Sequence, residues 1–138
     1  MKAGSAVILL LAAMAVSCTN HGPASLIIET DMGNDVDDAL ALDMLFKYDR
    51  KACIELLGIG LNKDWEDSKE YLDILITWYG REDLPLGTVH DGASYADDEN
   101  CYASRVCRQK GPDGTLAFAR SRSEYASLPD AVPFYRKL

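Results

Sequence analysis

Strand-like and helix-like patterns of apolar residues alternate along the chain. A continuous apolar run at 26–28 is typical of a strand buried on both faces, and the largely apolar segments 54–61 and 84–89 predict a second and a third strand. Between these runs, residues 36–48 and 64–79 carry apolar side chains at helical spacing, and the first of these helices is expected to turn Leu40, Met44 and Leu45 inward. Strands separated by helices at this spacing predict right-handed crossovers and a parallel sheet.

The predicted fold is an α/β domain with a Rossmann-like, open and mostly parallel sheet and helices on both faces. Residues 91–127 lose this periodicity, so short irregular helices and loops are expected there. The last helical pattern begins at residue 131 and reaches residue 138 without a C-terminal stop signal. The domain is therefore expected to be incomplete at its C-terminus.

Size and charge narrow the functions that this fold could serve. The 138 residues suffice for one domain, and their formal net charge is -8. A surplus of carboxylates opposes binding to a nucleic-acid backbone, so no nucleic-acid partner is expected. Small-molecule or metal chemistry is the better match.

The N-terminus has the composition of a signal peptide over residues 1–17. Lys2 precedes an apolar stretch at 6–16, which is too short for an ordinary transmembrane helix. Ala-Val-Ser before Cys18 resembles a bacterial lipobox, which predicts a lipid anchor on Cys18; a plain secretory signal is the alternative. The mature chain is expected to be exported to the periplasm or the cell surface. It would touch a membrane only through that anchor, with residues 18–24 as a tether to a domain at 25–138.

Two further cysteines are close in sequence. Cys101 and Cys107 are six residues apart, a spacing that permits a disulfide but does not establish one. An oxidising compartment would allow the bond. The sequence leaves both states open.

The candidate chemistry lies in the turn between the first strand and the first helix. Residues 29–38 read Glu-Thr-Asp-Met-Gly-Asn-Asp-Val-Asp-Asp, which we call the acidic turn. Crowded carboxylates are costly unless one is protonated or a hard cation binds their oxygens. Ligands of parallel sheets bind beyond the carboxyl ends of the strands, where this turn, Asn62 and His90 are all expected. The alternative interpretation is a helix start with a solvated acidic loop.

The acidic turn resembles the Asp-Thr-Asp-Pro-Gly-x-Asp-Asp-Ala-x-Ala signature of the inosine-uridine-type nucleoside hydrolase family. The resemblance runs from about residue 26 into the third strand, and the last helix also looks like a family segment. It implies an open α/β sheet and the calcium-assisted hydrolysis of ribosyl N-glycosidic bonds. The implied partner is a small nucleoside or ribosyl substrate, and the implied cofactor is Ca²⁺.

The resemblance also implies roles for individual residues. Asp31 and Asp38 match calcium ligands, and Asp37 matches the carboxylate that orients and deprotonates the attacking water. Asn62 matches an Asn that contacts the ribose. The late ligands and the leaving-group acid of the family lie beyond position 138, so this chain is expected to be the N-terminal portion of such a domain.

Three departures separate the acidic turn from the signature. Glu29 replaces the first Asp, Met32 replaces Pro, and Asn34-Asp35 lengthens the turn. Two functions therefore stay open: a nucleoside hydrolase-like enzyme, inactive if the chain is truncated, and a non-catalytic calcium- or sugar-binding lipoprotein. A homo-oligomer is compatible with either, and the sequence indicates no base preference.

Overall fold

A computed structural model describes residues 22–90 and 100–138. The predicted signal peptide, Cys18 and residues 91–99 lie outside this part of the chain. Across the two described ranges, no helix has the length and apolar character needed to cross a bilayer. The elements in chain order are β1 (Ala24–Thr30), α1 (Asp37–Arg50), β2 (Ile54–Leu61), α2 (Glu66–Trp78), β3 (Leu86–Thr88), α3 (Tyr102–Arg108) and α4 (Ala131–Tyr135).

The three strands form one parallel sheet in the order β1-β2-β3, and a helix connects each consecutive pair. This arrangement confirms the predicted α/β class and the parallel sheet. The register between β1 and β2 shifts once, because Leu26 pairs with Leu56 whereas Ile27 pairs with Gly58. The extra residue, Leu57, lets Leu56 and Ile59 point to the same face although they are three positions apart.

That face of the sheet carries the main hydrophobic core. Side chains from β2 meet those of α1 and α2 there, and the ring of Phe46 in α1 stacks on that of Tyr79 with 4.6 Å between centroids. The core members from these elements are Leu42, Phe46, Leu56, Ile59, Leu61, Leu72 and Ile76. Helices α1 and α2 therefore cover the same face of the sheet. This is expected because both crossovers are right-handed and step in the same direction across the sheet, from β1 to β2 and from β2 to β3.

The predicted inward face of α1 is wrong at two positions. Leu40 and Met44 are 64% and 52% exposed, whereas Leu42 and Phe46 are buried and Leu45 is half-buried. Apolar residues occur on nearly every side of this helix, so spacing alone does not select the buried side. The helix is rotated so that residues 42 and 46 face the sheet.

Polar contacts at both ends of α1 account for this rotation. Asp38 accepts a hydrogen bond from Thr30 Oγ1 at the end of β1, and Asp49 accepts one from the backbone N–H of Leu56 in β2. Positions 38, 42, 46 and 49 recur on one side of a helix with 3.6 residues per turn. Fixing both carboxylates against the strands therefore also directs Leu42 and Phe46 into the core.

The opposite face of the sheet is covered by α4. Gly58 and Gly60 of β2 and Gly87 of β3 provide the surface against which Phe134 and Tyr135 pack. Gly60 and Gly87 are paired across the sheet, so the two glycines lie side by side on this face. Because glycine has no side chain, α4 can approach the sheet closely at these positions.

Replacing Gly60 with alanine should therefore lower stability. The new methyl group would overlap the Tyr135 ring and hydroxyl, and overpacking of this kind costs about 1–3 kcal/mol. Urea denaturation measures the loss. Gly22→Ala is the matched control, because no heavy atom beyond its neighbours in the chain lies within 4 Å of the place that its methyl group would take. Equal stability of the two variants would show that α4 does not pack on Gly60.

The region expected to be irregular contains one short helix, α3, and an isolated antiparallel bridge between Lys110 and Leu116 in its described part. Cys101 and Cys107, whose spacing permits a disulfide, are both buried free thiols. Burial raises the pKa of Cys107 to about 12, with the carboxylates of Glu70 and Asp67 adding to the effect. The Cys107 thiol is therefore protonated and unreactive near neutral pH.

One buried carboxylate ties this irregular region to α2. Asp73 has no exposed surface and accepts hydrogen bonds from the backbone N–H groups of Ser121 and Arg122. It also accepts from the Ser121 hydroxyl, the Arg122 guanidinium and the Tyr125 hydroxyl. Burial acts to raise the pKa of Asp73, but these hydrogen bonds outweigh it and hold the pKa below its ordinary value.

Candidate functional site

The acidic turn lies at the carboxyl edge of the sheet, directly after β1. Asn62 and Lys63 follow β2 at the same edge, and His90 comes two residues after β3. Backbone hydrogen bonds of 2.7 Å from Asn62 to Thr30 and 3.1 Å from Val89 to Leu61 continue the pairing to this end. The expectation that these segments meet at one edge is confirmed for the described residues.

A set of short hydrogen bonds fixes the position of Asp38. The hydroxyl of the buried Thr30 donates to Asp38 Oδ2 at 2.7 Å, and the backbone N–H of Asp31 donates to the same oxygen at 3.1 Å. The backbone N–H of Met32 in turn donates to Thr30 Oγ1 at 3.1 Å. The two donors hold the Asp38 carboxylate through Oδ2 without a ligand. The second oxygen, Oδ1, takes no part in these bonds.

The acidic turn is supported from the protein interior by Met32 and by helix α3. Met32, which stands where the family has Pro, is 1% exposed and belongs to the core. Helix α3 contacts the turn through the backbone N–H of Ala103, 3.4 Å from the carbonyl of Gly33. The adjacent Tyr102 hydroxyl is buried, and this burial raises the pKa of Tyr102. This support could not be predicted from the sequence, because residues 91–127 show no periodicity.

The three predicted aspartates line one cavity of about 310 Å³. Asp37 and Asp38 occupy the first two positions of α1, so their side chains point about 100° apart, as helical geometry requires. Asp35, from the extended part of the turn, also reaches this cavity and is exposed. The full lining is Asp31, Met32, Gly33, Asn34, Asp35, Asp37, Asp38 and Lys63, and we call this space the acidic cavity.

The carboxylate oxygens of the acidic cavity are suitable ligands for a hard cation, but they do not form a complete coordination shell. Carboxylate oxygens are the ligands that calcium prefers, and calcium takes six to eight of them together with waters or substrate oxygens. Within residues 22–90 and 100–138, no three His, Cys, Asp or Glu side chains converge on a single metal position. A cation held by Asp31 and Asp38 would therefore complete its shell with water or with hydroxyl groups of a ligand.

Lys63 is the cavity residue that sequence analysis did not anticipate. It is only 6% exposed, and its backbone carbonyl accepts a hydrogen bond of 3.3 Å from the Thr88 hydroxyl. Its position two residues after the end of β2, at the ligand-binding edge of a parallel sheet, is the signal that could have indicated it. Asn62, the predicted ribose contact, is exposed and contributes no part of the described cavity wall.

His90 belongs to a neighbouring polar cluster. Its Nε2 lies 2.8 Å from the carbonyl oxygen of Leu128, and its Nδ1 lies 4.0 Å from Asp64 Oδ1. Asp64 also pairs with Lys69, whose nitrogen is 2.5 Å away. The described wall of the acidic cavity does not include His90.

An apolar groove of about 350 Å³ also opens between α1 and α2. Its described lining includes Leu40, Trp78 and Phe118, with Asp43 as the one carboxylate. Such a surface offers neither a nucleophile nor a set of cation ligands. The acidic cavity is therefore the better candidate for chemistry.

Comparisons of the chain with protein-family models, with curated proteins and with solved structures found no match. The α/β fold hosts many unrelated functions, so the fold by itself assigns none. A function for this chain must therefore be inferred from the side chains of the acidic cavity and from the sequence resemblance of the turn that forms it.

Proposed function

We propose that this chain is a nucleoside hydrolase-like protein, which hydrolyses a ribosyl N-glycosidic bond with the help of calcium. The observation that carries this proposal is the shared cavity of Asp31, Asp37 and Asp38 at the carboxyl edge of a parallel sheet. The resemblance assigns these three aspartates to calcium binding and to activation of the attacking water. Their convergence on one cavity is what a hydrolytic site built on this turn needs.

Asp31 and Asp38 would hold the calcium ion. When bound, the ion would supply positive charge that orients two vicinal ribose hydroxyls and lowers the pKa of a water. The contacts of Asp38 with Thr30 and the Asp31 backbone fix the carboxylate in place, so little ordering is left to occur on binding. Glu29 is exposed and is not part of the described cavity wall.

Asp37 would act as the general base. Its carboxylate accepts a proton from the attacking water while the water oxygen forms a bond to the anomeric carbon. The C–N bond breaks, its electron pair leaves with the nucleobase, and the nucleobase takes up a proton from solvent water. Positive charge that develops on the sugar ring is stabilised by the surrounding carboxylates.

The charge of the acidic cavity indicates the substrate class. Four aspartates, Asp31, Asp35, Asp37 and Asp38, face a space that contains one lysine in its described wall. Such a cavity repels phosphate groups and favours uncharged ligands or ligands that become cationic during reaction. A nucleoside or another neutral ribosyl compound meets this requirement better than a nucleotide does.

The second candidate is a non-catalytic calcium- or sugar-binding lipoprotein. The observation that favours it is the departure of the acidic turn from the family signature at Glu29, Met32 and Asn34-Asp35. A site of this kind would bind an ion or a sugar weakly and would not catalyse hydrolysis. The two candidates share the acidic cavity and differ in whether Asp37 performs chemistry.

Release of nucleobase from purine and pyrimidine nucleosides at millimolar calcium tests the first candidate. Any turnover by the unmodified chain is expected to be lost in an Asp31→Ala, Asp38→Ala double variant and after chelation of calcium. Calorimetry of calcium binding by the same two proteins provides a second readout. Calcium binding without turnover would support the second candidate, and absence of any calcium heat would overturn both calcium-based proposals.

A further inference from the structure

The side of α1 that faces away from the sheet carries a row of exposed apolar side chains. Leu40 and Met44 are 64% and 52% exposed, and Val36 and Tyr48, at 56% and 46%, extend the row by one turn at each end. These positions are four residues apart, so they form one ridge along the helix surface. We call the four residues the outer ridge. On a helix that only met water, polar side chains would be expected there.

The outer ridge belongs to a patch that is large for a free surface. Trp78 in α2 is 71% exposed and lines one groove together with Val36 and Leu40. If a large apolar side chain offers about 200 Å², the ridge and Trp78 expose on the order of 500 Å². The largest apolar patch of a typical monomer is about 300–600 Å², and a stable interface buries about 800 Å² on each partner. With the alkyl stems of the neighbouring Lys47 and Lys51, the patch approaches the size of an interface.

The outer ridge has a twofold pattern. Leu42 is buried against the sheet, so the opposite direction marks the centre of the outer side of α1. At about 100° per residue, positions 40 and 44 lie about 20° on either side of this centre, and positions 36 and 48 about 60° on either side. Two copies of α1 packed antiparallel would therefore place Leu40 against Met44 of the second copy. The same axis would place Val36 against Tyr48.

The charges of α1 follow the same pattern. Asp37 in the first turn and Lys47 in the last turn are each five positions from Leu42, so an antiparallel pair brings opposite charges together. Lys47 contacts Asp43 of its own helix at 2.6 Å, but its side chain is 61% exposed and its ammonium group has further donors. The net charge of -8 opposes association at long range. Screening over about 8 Å at physiological ionic strength leaves the local charges to decide.

We propose that the outer ridge is the contact surface of a homodimer, in which α1 of one copy packs antiparallel on α1 of a second copy. One twofold axis matches apolar with apolar and acidic with basic positions, and this self-complementarity selects a second copy as the occupant. The interface would adjoin the acidic cavity, because Asp37 lines it. Dimerisation through this surface would hold whether or not the cavity hydrolyses nucleosides.

Sedimentation equilibrium of the full chain, at micromolar to submillimolar concentrations and physiological salt, measures dimerisation. We expect a dimer whose fraction rises with concentration. Leu40→Gln, Met44→Gln should weaken it at least about tenfold, because four apolar side chains leave each dimer interface. Leu116→Gln, Val132→Gln is the matched control, since these side chains are 52% and 56% exposed and lie outside α1. Every variant has the same N-terminus, so association through residues 1–21 would be common to all.

Reversal of one charge tests the orientation of the two helices. Lys47→Glu should weaken the dimer at least about fivefold, because two attractive contacts become repulsive. Adding Asp37→Lys restores attraction in an antiparallel pair, whereas in a parallel pair position 37 faces position 37 and affinity stays low. Adding Glu124→Lys instead is the control, since it restores the same net charge at an exposed residue outside α1.

Several outcomes would overturn the proposal. A chain that stays monomeric at every concentration excludes the homodimer; binding of that monomer to phosphatidylcholine vesicles, lost in the ridge variant, would then assign the outer ridge to a lipid surface. A dimer that the ridge variant weakens no more than its control does forms elsewhere. Failure of Asp37→Lys to restore the Lys47→Glu dimer excludes the antiparallel arrangement. Circular dichroism monitors folding, and the single Leu40→Gln and Met44→Gln variants decide if the double variant does not fold.

Discussion

Replacing Asp37 with alanine is expected to lower the rate of nucleobase release by about 10²–10⁴-fold, the contribution of a positioned general base. Without this carboxylate the attacking water must lose its proton to solvent, which is a poorer acceptor in the geometry of the cavity. Calcium affinity should change much less, because the ligands Asp31 and Asp38 remain. The measurements are the nucleobase release rate and the calorimetric calcium affinity of the same preparation.

Asp35→Ala is the matched control for this prediction. Asp35 is an exposed carboxylate in the same turn and lines the same cavity, but it is not assigned to the water. Both substitutions remove one negative charge, so their shared effect on calcium measures the general electrostatic contribution. Equal losses of turnover in the two variants would mean that Asp37 acts only through its charge and is not the base.

The strand and crossover pattern was predictable because it depends on local apolar runs and on their order. Periodicity could not determine the rotation of α1, since Leu40, Leu42, Met44 and Phe46 are all apolar. The rotation of α1 is set by Asp38 and Asp49. Their hydrogen bonds with Thr30 and Leu56 join residues that are eight and seven positions apart in the sequence. Such contacts become visible only once the strand ends are placed beside the helix.

The candidate site could be predicted only where its residues are close in sequence. Asp31, Asp37 and Asp38 fall within one turn, so a local motif was enough to group them. Lys63 and Tyr102 reach the same region from the end of β2 and from α3, and no spacing connects them to the turn. A long-range charge such as Lys63 must be read from the sheet topology, which brings the ends of neighbouring strands together.

Replacing the buried Asp73 with alanine is expected to cost about 3–5 kcal/mol of unfolding free energy, because it leaves buried donors, among them the Arg122 guanidinium, without an acceptor. Losses of this size lower the melting temperature of a small domain by on the order of 10–20 °C. Thermal and urea denaturation measure both quantities. Asp83→Ala is the control, since Asp83 pairs with Arg81 at 3.3 Å but its side chain is 74% exposed. A similar small loss in both variants would show that residues 121–125 do not depend on Asp73.

The pH dependence of this contribution has a defined sign. Burial acts to raise the pKa of Asp73, but its hydrogen bonds lower it by more, so the folded-state pKa lies below the ordinary value of 3.8. A carboxylate with a depressed folded-state pKa stabilises the protein above the unfolded-state pKa, and the stabilisation is lost as pH falls through the folded-state value. The stability difference between the unmodified chain and Asp73→Ala should therefore stay constant from pH 8 to about pH 5 and shrink below about pH 4. A difference that instead grew on acidification would show that Asp73 is protonated in the folded protein, in which case it would act as a neutral hydrogen-bonding group and not as the counter-ion of Arg122.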